Sequence, residues 1–166
     1  MDPLLRRLPS AFWSVPYAGS RFPGSAAVTA RPGLSAGANC QLFAYEVLRH
    51  FGLAPPALRS SDLWADTRAT VRVRVTAALP LDLLLFNSAD DAFGAHVGVR
   101  VGVGRVLHLC AEVGRPAVWE DARFAARERY RVLVGVKRVA ALATGPADGA
   151  PGSGDRRRGS AAWGDP

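Results

Sequence analysis

One long helix, written at both of its ends, constrains this chain more than anything else in its 166 residues. Apolar residues recur at Cys40, Phe43, Ala44, Val47, Leu48 and Phe51, the spacing of a helix with one buried face. Asn39 stands before them, and its side-chain oxygen suits it to accept a hydrogen bond from a free N–H of the first turn. Gly52 follows in the position where a helix ends in a left-handed residue. Arg49 and His50 place positive charge in the last turn, against the negative end of the helix dipole.

The segments after this helix read mostly as strands. Val71, Val73 and Val75 alternate with Arg72, Arg74 and Thr76, a half-buried pattern. Leu81–Phe86 is an apolar run around Asp82 that predicts a buried strand. His96–Val101 and Arg105–Ala111 predict a hairpin through Gly102, Val103 and Gly104. Pro116–Trp119 adds a short strand and Tyr130–Val139 a last one, with a helix over Asp121–Arg129 between them. Short helices are expected near Leu4–Phe12 and over Ser60–Asp66, and the remainder up to Ala38 reads as loop. A helix followed by an antiparallel sheet defines an α+β domain over residues 1–139. From 140 to 166 the composition collapses to Gly, Pro, Ala, Asp and Arg, and this tail is expected to be disordered.

The net charge is +7, yet Lys137 is the only lysine. Basic residues are scattered, with no basic run inside the domain that carries interleaved aromatics, so no nucleic-acid partner is expected. No apolar run reaches the roughly 18 residues of a membrane span. Prolines and arginines interrupt the first twenty residues before a leader-type apolar stretch forms, so a cytoplasmic location is expected. Two cysteines, Cys40 and Cys110, without a CxxC pair or a Cys/His cluster argue against a zinc site, and no cofactor is expected. A disulfide between them competes with any catalytic role for Cys40.

Cys40 opens the long helix, where free N–H groups and a positive field stabilise a thiolate. The bland alternative is a small buried hydrophobe on the inner face. The chain has three histidines to partner it. His50 lies at the far end of the same helix, about 15 Å away at 1.5 Å per residue. His96 and His108 flank the hairpin. A three-residue turn, Gly102 to Gly104, pairs Val101 with Arg105, Val99 with Leu107 and Gly98 with His108. His96 and His108 then become diagonal neighbours on one face. A two-residue turn would separate them onto opposite faces.

Several segments, taken in order, carry a family resemblance. Gly37-Ala38-Asn39-Cys40-Gln41-Leu42-Phe43, running into a helix, resembles the cysteine motif of the NlpC/p60 cysteine peptidases, which have a papain-like fold. Leu81-Asp82-Leu83-Leu84-Leu85-Phe86 is similar to that family's Gly-Asp-Leu strand. Ala95-His96-Val97-Gly98-Val99 is similar to its His-Val-Gly-Ile motif, and Val106-Leu107-His108-Leu109 to the strand that supplies its third catalytic residue. Val15-Pro16-Tyr17 resembles its upstream Pro-Tyr, and Tyr130 to Arg138 its closing strand. The resemblance spans residues 15 to 139. It departs at Asn39, Gln41 and Leu81, where the family usually has Asp, Ser and Gly, and in lacking a Trp-Gly-Gly loop. Cys40 precedes the histidines, the unpermuted order, in contrast to lecithin:retinol acyltransferase-like relatives.

The resemblance implies a cysteine hydrolase acting on amide bonds, with Cys40 as nucleophile, His96 as base and His108 as its orienter. It implies substrate or oxyanion contacts at Tyr17, Asn39 and Gln41, and a peptide or peptidoglycan-like substrate. The Asn39 and Gln41 departures bear on that substrate and leave the Cys–His–His set whole. Two other readings stand beside it: a thiol acyltransferase or lipid-acting enzyme on the same fold, and a binding module without catalysis that uses the basic surface.

Overall fold

The computed structural model describes residues 2–140. Among them are five α-helices: α1 (Pro3–Arg6), α2 (Ala26–Ala30), α3 (Cys40–His50), α4 (Ser60–Ala65) and α5 (Asp121–Ala125). Six strands make one antiparallel sheet: β1 (Thr70–Val73), β2 (Leu83–Asn87), β3 (His96–Gly102), β4 (Arg105–Leu109), β5 (Pro116–Glu120) and β6 (Val132–Val139), in the order β1-β6-β2-β3-β4-β5. The chain is thus α+β. The tail expected from residue 140 falls outside the described residues except for Ala140, whose N–H donates to Ala69.

The long helix forms as its ends dictate. The Asn39 side chain accepts from the Leu42 N–H at 2.8 Å, and Gly52 takes φ +82°. Its apolar face, with Phe43, Ala44, Val47 and Leu48 fully buried, packs on β3 and β4. Val97, Val99, Leu107 and Leu109 meet it from the sheet. The opposite sheet face is also covered. Leu84, Phe86, Val106, Cys110 and Val136 lie there against Trp119, Phe124 and Tyr130. A sheet buried on both faces explains why the β2 sequence is a continuous apolar run and not an alternating one.

Several local expectations are corrected. The first helix stops at Arg6, before Pro9, and a 3₁₀ turn at Ser10–Ser14 follows. A short helix at Ala26–Ala30, capped by Ser25, lies inside the expected loop. Val75 belongs to a 3₁₀ turn and not to β1. The helix after β5 ends at Ala125, and a third 3₁₀ turn covers Glu128–Tyr130. Strand β2 begins at Leu83 because Leu81 takes φ +76°, a left-handed conformation that favours glycine. That is the position where the resembling motif has Gly. The carboxylate of Asp82, 1 % exposed, receives two bonds of 2.7 Å from Arg138 beside this turn.

The hairpin differs from expectation in an instructive way. Its turn is two residues, Val103-Gly104, with Gly102 opposite Arg105. Such a turn alone would send His96 and His108 to opposite faces. The register shifts between Arg100 and Gly102, however, so that Val101 is an extra residue and Val99 still faces Leu107. Two departures cancel, and the parity of the two histidines is restored.

Candidate active site

The sulfur of Cys40 comes to the start of β3, close enough to the backbone N–H groups of Val97, Gln41 and Cys40 for their dipoles to favour its thiolate. Burial is the largest influence and pushes the thiol pKa up. These N–H groups and the charge of Arg129 pull it back down. Cys40 is part-exposed, so a substrate can reach it. Both cysteines are unpaired, and Cys110, 1 % exposed, is packed in the aromatic cluster of Trp119, Phe124 and Tyr130.

His96 is the first residue of β3, next in sequence to Val97. Its Nε2 lies 3.0 Å from His108 Nδ1, with the rings at 87°. The close approach depends on Gly98. A Cβ there would stand 2.5 Å from Val106 Cγ1 and 3.4 Å from the His108 Cβ. Gly98→Ala is therefore expected to push β4 away at a cost of about 1–3 kcal/mol, the usual penalty of overpacking. A thermal melt checks this, and an unchanged melting temperature would refute it.

The two rings differ in what surrounds them. His108 is fully buried, with the Trp119 ring centroid at 4.3 Å and that of Phe124 at 4.9 Å. Burial first, then the charges of Arg123 and Arg127, hold its pKa down at about 3. It is neutral at any working pH, and its Nε2 has no hydrogen-bond partner among the described residues. Burial and the neighbouring His108 likewise hold His96 well below the ordinary histidine value. With both rings neutral, one tautomer pair fits a base at His96. His96 donates Nε2–H to His108 Nδ1, and the His96 Nδ1 lone pair remains free to take a proton. His108 then carries its own hydrogen on Nε2.

The other candidates are distributed as follows. Tyr17 forms a parallel bridge with Ala38, just before the cysteine, and its N–H donates to Gly114 at 2.9 Å. Burial and the Cys40 thiolate raise the Tyr17 pKa, so its hydroxyl keeps its proton and can donate. Asn39 spends its side-chain oxygen on the helix cap. The Gln41 side chain, 2 % exposed, turns along the helix and donates to the Tyr45 hydroxyl (2.8 Å) and the Leu58 carbonyl (2.7 Å). Gln41 therefore faces the sulfur with its backbone N–H and not with its side-chain end, while Asn39, whose N–H donates to the Arg21 carbonyl at 2.8 Å, acts through the helix cap. His50 lies 3.0 Å from the Arg7 carbonyl, at the other end of α3.

Two contributors were not singled out from the sequence. Arg21, 6 % exposed, donates to the carbonyls of Gly37, Ala27, Arg31 and Gly33 and ties down the loop that delivers Cys40. Tyr130 lays its ring 4.8 Å from that of His96. Among the described residues no group of three or more His, Cys, Asp or Glu could hold a metal ion. None of the described helices is long and apolar enough to cross a membrane.

With this geometry in place, solved structures give the fold its relatives. A Staphylococcus aureus protein described as similar to a lipoprotein of the NLP/P60 family aligns over 82% of this chain, with a TM-score of 0.53 and 21% identity. The fold is of the NlpC/P60 type. The match covers 40% of the S. aureus chain, so this chain spans well under half of that protein. An NlpC/P60 family protein from Bacillus cereus aligns over 62% of this chain and 32% of its own, at a TM-score of 0.47 and 18% identity. No protein-family model matches the sequence, and no curated protein is similar enough to count as a match.

Proposed function

We propose that this protein is a cysteine hydrolase that cleaves amide bonds through Cys40, His96 and His108. The observation that carries the reading is the 3.0 Å contact between the two histidines. It occupies His96 Nε2 and leaves Nδ1 to serve the thiol at the start of α3. His96 takes the Cys40 proton as sulfur attacks the carbonyl carbon. The oxyanion that forms is met by backbone N–H at the helix start, with the Tyr17 hydroxyl as a second donor. Collapse breaks the C–N bond, and the amine leaves with the proton held by His96. Water then adds to the thioester, gives its proton to His96, and releases the acid and the free thiol. The NlpC/P60-type fold is that of a family whose members are generally cysteine peptidases or amidases, which favours a peptide substrate such as peptidoglycan stem peptides.

An open hollow of about 530 Å³ lined by Phe12, Val15, Pro16 and Leu34 together with Ser14, Ser35 and Glu46 offers apolar surface for a second reading, in which an acyl chain is transferred. One experiment separates the two. Peptidoglycan fragments incubated with the protein are analysed by mass spectrometry, with Cys40→Ala as control. Hydrolysis is expected to shorten stem peptides with wild-type protein and not with Cys40→Ala. Intact fragments in both, or equal cleavage in both, would reject the proposal for this substrate.

A further inference from the structure

Four arginines lie between residues 121 and 131, beside the site, and three of them are engaged. The Arg123 guanidinium stands 4.5 Å from the centre of the Trp119 ring. Arg127 pairs with Glu112 at 2.6 Å. Arg131 donates to the Ser88 carbonyl at 3.1 Å. The fourth, Arg129, is exposed and forms neither an ion pair nor a side-chain hydrogen bond among the described residues. Its guanidinium rests 5.8 Å from the centre of the Tyr130 ring, and that ring lies 4.8 Å from the His96 ring. A single aromatic side chain thus separates an unpaired cation from the base.

We propose that Arg129 determines specificity in this cleft, and that it selects substrates carrying a carboxylate close to the scissile amide. This rests on the hydrolase reading above and narrows its substrate. The chemistry follows from the guanidinium: planar, permanently charged, and forked to match a carboxylate. The Tyr130 ring lies under the Arg129 guanidinium at 5.8 Å, and that group has no hydrogen-bond acceptor among the described residues. The reach of its charge is visible in the site itself, because Arg129 acts on the thiol, on His96, on Tyr17 and on Tyr130. The acid that acts on this group of residues, Glu112 beside Tyr130, is already neutralised by Arg127.

The test needs no known substrate. Cys40 is alkylated in the full chain with neutral iodoacetamide and with anionic iodoacetate, and modification is read at the Cys40 peptide by mass spectrometry. The ratio of the iodoacetate rate to the iodoacetamide rate measures attraction of a carboxylate to the thiol. Arg129→Glu reverses a charge that acts on the sulfur and is expected to lower this ratio about fivefold at low ionic strength, with the effect shrinking in high salt. Arg129→Lys keeps the charge and is expected to stay near wild type. Arg131→Glu makes the same change of net charge two residues away and is expected to lower the ratio far less. A ratio that falls equally for Arg129→Glu and Arg131→Glu, or for neither, overturns the proposal. The hydrolase reading is judged separately, by the iodoacetamide rate alone: it fails if the wild-type thiol reacts no faster than that of His96→Ala.

Discussion

Replacing His96 with alanine is expected to lower amide hydrolysis by about 10²–10⁴-fold, the range that a positioned acid–base group contributes. His108→Asn is expected to lose less, because an asparagine oxygen can still accept the His96 Nε2–H and hold the ring in its working tautomer. His50→Ala is expected to match wild type, since that ring lies by the Arg7 carbonyl. The pH dependence adds a second readout. Burial holds His96 well below the ordinary value of 6.5, so the ring stays neutral and basic as the medium acidifies. The acid limb of kcat/KM is therefore expected below pH 6.5, and a limb at or above that value would show a solvated ring and reject the arrangement. Stability follows the same sign. Below pH 6.5 the unfolded chain protonates both histidines, while in the native state His108 resists until about pH 3. The native state binds fewer protons across that window, so it loses stability as pH falls through it. His108→Asn is expected to flatten that loss, measured by urea unfolding between pH 7 and pH 4.

How much of this was legible in the sequence differs by element, and the reason is locality. The long helix was readable to the residue because its cap, its terminal glycine and its apolar stripe all lie within fourteen positions. The pairing of His96 with His108 was reached through an incorrect turn. A three-residue turn and a two-residue turn with one bulged residue give the same parity, and no alternation in the run from Val99 to Val106 distinguishes them. A tertiary contact beside the bulge is also invisible locally: the Asp2 carboxylate, paired with Arg105, occupies the space where a Cβ on Gly102 would stand. Leu81 was visible as a departure from a glycine pattern, and its φ of +76° shows why glycine suits the place. The burial of His108 beneath Trp119 and Phe124 was not legible. Those residues are eleven and sixteen positions downstream, and their meeting depends on a short helix ending sooner than its sequence suggested. The Gln41 side chain was misassigned for a similar reason. Its partner is the carbonyl of Leu58 in a distant loop, which no local pattern announces.

Arg21→Met is expected to destabilise the protein by about 3–5 kcal/mol, the scale of removing a buried charged donor and leaving its acceptors without partners. Arg21 is 6 % exposed and has no carboxylate partner among the described residues. It bonds instead to four backbone carbonyls: Gly37 at 2.7 Å, Ala27 at 2.9 Å, Arg31 at 2.7 Å and Gly33 at 2.9 Å. Three of these carbonyls, Arg31, Gly33 and Gly37, belong to the stretch between α2 and α3, which has no sheet ladder to satisfy them, and the fourth, Ala27, lies in α2 and also accepts the Arg31 N–H. The backbone joins in, because the Arg21 carbonyl accepts the Asn39 N–H at 2.8 Å, one residue before the nucleophile. One side chain therefore closes the loop that sets where α3 begins, and with it where the sulfur lies. Arg21→Lys keeps the charge but offers a point donor in place of a fork, so it is expected to recover only part of the stability. Urea unfolding measures the first effect, and the iodoacetamide rate at Cys40 in the still-folded variant measures the second. If Arg21 positions the nucleophile, both fall together in Arg21→Met. A stability loss with an unchanged Cys40 rate would make it a purely structural anchor. A loss below about 1 kcal/mol would mean that water satisfies the four carbonyls as well as the guanidinium does.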